Sequence, residues 1–171
     1  MTAYDPSQWN DFALAQLGAS AALLGLVFVG ISINLKEIIG TPLLVNRALE
    51  AIVLLATVLL AATAVLIPAQ DREVVGVELA VLGVLVCIFL LRLQAGTRQE
   101  EVVQPGDRGP TRASIVSRRV IGLGSAALIA IAGVLLLVET GGGLYWWPAA
   151  IVAAYIGALV NAWVLLVEIL R

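Results

Sequence analysis

Five apolar runs divide this chain, at roughly Phe12–Leu35, Ala48–Ala69, Val74–Leu93, Val120–Val138 and Leu144–Leu170. Each holds about 20 residues or more, enough at about 1.5 Å rise per residue to cross a hydrocarbon core of about 30 Å. An ordinary soluble domain is about 45–50% apolar; here 61% of 171 residues are hydrophobic and the mean hydropathy is +1.02. Backbone polar groups in lipid must be satisfied within the segment, so runs of this length read as helices. The expected fold is all-α, an integral membrane bundle of five transmembrane helices forming one unit over residues 1–171.

The charges orient it. Lys36 and Arg47 flank the first connection, Arg92, Arg98, Arg108, Arg112, Arg118 and Arg119 the third, and Arg171 ends the chain. All of these fall on one side of five alternating crossings, and Arg72 alone falls on the other. The positive-inside rule then predicts the N-terminus outside and the C-terminus in the cytoplasm. The residues before the first run carry Asp5 and Asp11 and no Lys or Arg. That run is therefore expected to remain as a helix rather than to be cleaved as a signal peptide.

The connections carry turn chemistry. Asp5 and Pro6 suit the cap and first position of a short interfacial helix. Gly40-Thr41-Pro42 makes an inner turn, and Pro68 with Asp71-Arg72-Glu73 an outer hairpin. Gly141-Gly142-Gly143 closes a second outer hairpin, followed by Tyr145, Trp146 and Trp147 as an aromatic anchor and by Pro148 near a helix start. Residues 94–117 form the one long connection, expected to be a mobile cytoplasmic loop. Ser20-Ala21-Ala22-Leu23 recurs as Ser125-Ala126-Ala127-Leu128, which is compatible with an inverted repeat.

Catalytic signatures are absent from the sequence. It has no histidine, a single cysteine (Cys87, read as a small hydrophobe), no paired metal-ligand motif, no phosphate loop and no nucleophile elbow. The chain is read as not an enzyme, with no catalytic residue, no metal site and no cofactor. Nucleic acid is not expected as a partner; the lipid bilayer is.

Polar and small residues within the runs are the remaining candidates. At about 100° per residue, Gln16, Ser20, Leu23, Val27, Gly30 and Asn34 share one stripe of the first run. Polar ends around an apolar waist at Leu23 and Val27 suit a pore lining. They equally suit a face whose Gln16 and Asn34 bond neighbouring helices near the head-group levels. Gly18, Ala22, Gly25 and Ser32 form a small-residue strip on the opposite face, and Gly157 belongs to another in the fifth run; such strips let helices approach closely. Gly122, Ala126, Ala130 and Gly133 repeat the pattern in the fourth. So many packing faces point to a homo-oligomer. Glu50, Glu78 and Asn161 are the intramembrane polar groups. Glu50 is placed near the cytoplasmic boundary and Glu78 about a turn from the outer one, which suits snorkelling or pairing, and Asn161 suits helix–helix bonding or, less simply, ligand binding.

Residues 4–35, with Tyr4-Asp5-Pro6, Trp9, Asp11-Phe12, Gly18-Ala19-Ser20-Ala21-Ala22-Leu23, Gly25-Leu26-Val27-Phe28-Val29 and Ser32-Ile33-Asn34-Leu35, resemble the opening of a group of small membrane proteins of actinobacteria and related bacteria. Some members of that group are labelled modulators of the membrane protease FtsH. The resemblance implies a polytopic membrane protein and offers no catalytic residues to carry over. Two functional readings follow: a homo-oligomeric pore or small-solute channel lined by the first helix, and an accessory or regulatory subunit of another membrane-protein complex such as a membrane protease.

Overall fold

A computed structural model describes the backbone of residues 2–101 and 112–169 and the side chains of residues 2–95 and 119–166. Among these residues the chain is all-α, with no strand. Two short 3-10 turns, Thr2–Tyr4 and Pro6–Trp9, lead into α1 (Asn10–Ile33), α2 (Leu35–Ile39), α3 (Pro42–Leu66), α4 (Arg72–Glu101), α5 (Arg112–Val138) and α6 (Trp146–Ile169), with a 3-10 turn Gly143–Tyr145 before α6. Five of the helices are long and apolar enough to cross a membrane.

Local chemistry sets the boundaries. Pro42 and Pro6 sit in the first turns of their elements, where a missing N–H costs nothing. Asp5 caps the Pro6–Trp9 turn, its carboxylate accepting from the Ser7 amide at 3.1 Å. Helix α1 ends at Ile33 with Asn34 as its cap, two residues before the expected end of its run, and the chain turns into α2, whose Ile38 is buried with Leu44, Ala48 and Leu165. That apolar anchor is why a segment read as a plain turn contains a helix. Glycines 141, 142 and 143 all have positive φ (66°, 99° and 48°) and close the α5–α6 hairpin as expected.

The connection read as residues 94–117 is shorter than expected, because α4 continues to Glu101 and α5 begins at Arg112. Residues 102–111, with Arg108 among them, lie outside the described residues, as do Arg171 and the side chains of Arg98, Arg112 and Arg118.

Helices α4 and α5 pack most closely. A Cβ on Gly83 would lie 2.7 Å from the Ala126 carbonyl oxygen, and one on Gly133 would lie 2.6 Å from that of Gly76. Backbone therefore touches backbone at both ends of the crossing. The fourth run's predicted face supplies Ala126, Ala130 and Gly133, and its counterpart on α4 is Gly76, Ala80 and Gly83. At one end of the bundle Arg72 pairs with Glu139 at 2.7 Å, joining the start of α4 to the end of α5. At the other, Arg119 Nη2 donates to the Gln94 carbonyl at 3.3 Å.

The N-terminal turns dock over the α5–α6 hairpin. Tyr4 Oη accepts from the Gly142 amide at 3.1 Å, Thr2 Oγ1 and Tyr145 Oη share a 2.7 Å bond, and Trp9 Nε1 donates to the Thr2 carbonyl at 2.8 Å. Trp9 and Phe12 meet edge to face, and Phe12 meets Trp147 likewise, with centroids 5.7 and 5.4 Å apart. Tyr145 and Trp146 are exposed, as an interfacial belt requires, but Trp147 is fully buried beneath Trp9 and Phe12. It is a core residue of this aromatic end, not an outward anchor.

Candidate functional site

The two faces of α1 point opposite ways from what their composition suggests. The stripe read as a pore lining faces the protomer's own helices. Gln16 is half-buried and its Oε1 accepts from the Tyr155 hydroxyl of α6 at 3.0 Å. Ser20 is fully buried and donates to the Leu17 carbonyl at 3.1 Å. Leu23 and Val27 pack against the core, and Asn34 donates to the Gly30 carbonyl at 3.1 Å. Gln16 thus bonds a neighbouring helix, whereas Ser20 and Asn34 bond only their own.

The small-residue strip faces outward. Gly18, Ala22 and Gly25 are exposed, and a Cβ on Gly18 or Gly25 would meet nothing within 4 Å. Ser32 is also exposed, its hydroxyl spent on the Phe28 carbonyl at 2.8 Å. Within the protomer nothing packs against Gly18 or Gly25, and Ala22 and Ser32 are exposed beside them. Gly157, by contrast, is a packing residue: its Cβ would lie 2.9 Å from Leu54 Cδ1 and 3.2 Å from Ile121 Cγ2, between α3 and α5.

Glu50 and Asn161 are both fully buried. Glu50 Oε1 lies 3.1 Å from where a Cβ on Gly122 would be, so the missing side chain at 122 makes room for the carboxylate. The carboxylate is turned into the bundle and does not snorkel. Asn161 has neither amide atom in a hydrogen bond among the described residues. Both residues stand four positions from the Leu54–Gly157 contact, towards the same end of the bundle, because α3 and α6 run in opposite directions. Glu50, eight residues into α3, is thus about 12 Å from its start, and Asn161 is the same distance from the end of α6. Counting inward from the ends of the apolar runs hides this, because α3 begins at Pro42, six residues before its run does. Glu78, half-buried and six residues into α4, sits towards the opposite end, so the two carboxylates are not brought together.

The other polar groups serve structure. Thr57 Oγ1 donates to the Val53 carbonyl at 2.6 Å, and Ser125 Oγ to the Ala150 carbonyl at 3.0 Å, joining α5 to α6. Ser20 bonds only its own helix, while Ala126 is buried in the α4 crossing and Ala21 and Ala22 are exposed. The two Ser-Ala-Ala-Leu segments therefore do different work. Cys87 is half-buried, with Sγ 3.9 Å from the Leu123 carbonyl.

Comparisons of this chain with family models, with curated proteins and with solved structures find no match. What sequence and structure define is a class: an all-α chain with five helices long and apolar enough to cross a membrane.

Proposed function

We propose that this is a non-enzymatic, multi-pass protein of the bacterial cytoplasmic membrane, N-terminus outside and C-terminus inside, which works through association of α1 with another transmembrane helix. The observation that carries the reading is the outward strip Gly18, Ala22 and Gly25. Only 11% of the α1 window is buried within the protomer, against 33–50% for the other four helices. Small residues let a partner backbone approach and gain dispersion contacts along its length. The first partner proposed is a second copy of the chain. The same face would also serve an accessory subunit on a foreign complex such as a membrane protease. A pore along Gln16, Ser20, Leu23, Val27 and Asn34 is not favoured, since those side chains are turned inwards.

Gly25→Leu tests this. Open space surrounds Gly25, so the protomer should fold and melt as wild type while the assembly elutes at lower mass from size-exclusion chromatography in mild detergent. Unchanged elution of an oligomer would remove this face from the interface, and a wild-type monomer that captures no stoichiometric partner from native membranes would end the association reading. A C-terminal fluorescent reporter should glow and a C-terminal alkaline phosphatase should be silent; the reverse would invert the topology.

A further inference from the structure

Helix α1 packs mainly on α3 and only lightly on α6. From mid-span to the basic end a groove of about 170 Å³ lies between the two helices. Leu23, Val27 and Ile31 line it from α1, and Leu159, Ala162 and Leu166 from α6. Its floor is open at Gly30, where a Cβ would meet nothing within 4 Å, and Asn34 stands at its inner end. From Leu23 to Asn34 the groove runs eleven residues, about 16 Å, close to one leaflet of a hydrocarbon core about 30 Å thick.

Size and charge select the occupant. Its walls are aliphatic, and its length is that of one leaflet's hydrocarbon chain. An extended hydrocarbon chain would follow the floor. Water has no polar partners along an aliphatic wall. Past Asn34 comes the exposed Lys36, at an end where Lys36, Arg47, Arg92 and Arg119 outnumber Glu37 and the buried Glu50 among the described side chains. We infer that the α1–α6 groove is a binding site for one acyl chain of a cytoplasmic-leaflet phospholipid, its phosphate at the level of Lys36. This rests on the membrane-spanning reading but not on the association of α1.

The test is native mass spectrometry of the full chain, purified in mild detergent after reconstitution with phosphatidylglycerol or with diacylglycerol. Flotation with the vesicles reports membrane insertion separately, so failure to float would indict that reading and not the groove. Wild type should retain one phosphatidylglycerol per protomer, and at least about fivefold less diacylglycerol. Gly30→Trp, which fills the floor, should lose the retained lipid, and Lys36→Gln should lose the preference for phosphate while keeping the chain. Should Gly30→Trp elute as misfolded, Ala162→Phe on the facing wall makes the same test. Equal lipid retention by wild type and a filled groove would overturn the proposal. So would a lipid-free dimer that the filling mutation splits, because the occupant would then be a second copy.

Discussion

Replacing Gly133 by alanine adds one methyl at one of the tightest points among the described residues. That carbon would sit 2.6 Å from the Gly76 carbonyl oxygen and 3.0 Å from Ala80 Cα, where carbon contacts normally settle at about 3.5–4.0 Å. Both neighbours are backbone, so no rotamer change relieves the clash, and α4 and α5 must separate by about 1 Å. Overpacking of this kind costs about 1–3 kcal/mol, or about 2–12 °C in melting temperature for a chain of this size. Gly124→Ala is the matched control, on the same helix with nothing within 4 Å of its Cβ. There the change should be neutral or stabilising by up to about 1 kcal/mol, because alanine favours the helix. Gly83→Ala should resemble Gly133→Ala, its Cβ lying 2.5 Å from the Ala130 nitrogen. Once the helices have parted the second methyl meets less, so the double variant should lose less than the sum of the singles. Thermal unfolding in mild detergent, followed by circular dichroism, measures all four. If Gly133→Ala melts no lower than Gly124→Ala, the close α4–α5 crossing is refuted.

Two further outcomes follow from other parts of the bundle. Gly122→Ala should lower the melting temperature only slightly, since Glu50 Oε1 at 3.1 Å need move a few tenths of an ångström. Gly122→Leu should be far worse, because the carboxylate is fully buried and has no exposed route out of the way; equal melting of the two would place Glu50 elsewhere. At the aromatic end, hydrogen bonds from the Ser7 hydroxyl and then the Gln8 amide hold the Asp5 carboxyl below its ordinary value of 3.8. A lowered carboxylate pKa supports the folded turn above the ordinary value and withdraws that support as pH falls through the lowered one. The Ser7 amide resonance should therefore hold steady from neutral pH down to about 4 and shift only below it, and Asp5→Asn should abolish the titration; movement near pH 5 would contradict the cap.

The five long apolar helices were legible because length and hydropathy alone mark them. Which way each face points was not. In a soluble helix the apolar stripe marks the inside, but in a membrane lipid and core are equally apolar, and α1 carries apolar side chains almost all round. Its inward face is marked instead by Gln16 and Ser20, polar groups that need protein partners and find them in Tyr155 and in the helix's own carbonyls. Small residues are ambiguous for the same reason. Gly133 and Gly18 look alike in sequence, yet one meets backbone and the other open space. Trp146 and Trp147 likewise share a motif and differ only by the 100° that turns one outwards and the other under Phe12. Glu50 was read by depth alone; its burial depends on Gly122, 72 residues away, which no local pattern connects to it.

That contrast explains why both proposals converge on α1. Backbone contact fixes α4 against α5, and α5 is joined to α6 by the Ser125–Ala150 bond, so these helices have little surface free to rearrange. Helix α1 is held to the rest chiefly along α3 and at the aromatic end through Trp9, Phe12 and Tyr155. In the proposed membrane setting, lipid covers whatever protein does not. A lipid tail lying in the α1–α6 groove would brace the inward side of α1 while leaving Gly18, Ala22 and Gly25 on the outward side free for a partner helix. The two occupants would then compete for no side chain. They would still be coupled, because each holds the same helix: ordering α1 once lowers the cost of ordering it again. Association measured with and without retained phospholipid should therefore differ in the wild type and converge when Gly30→Trp fills the groove.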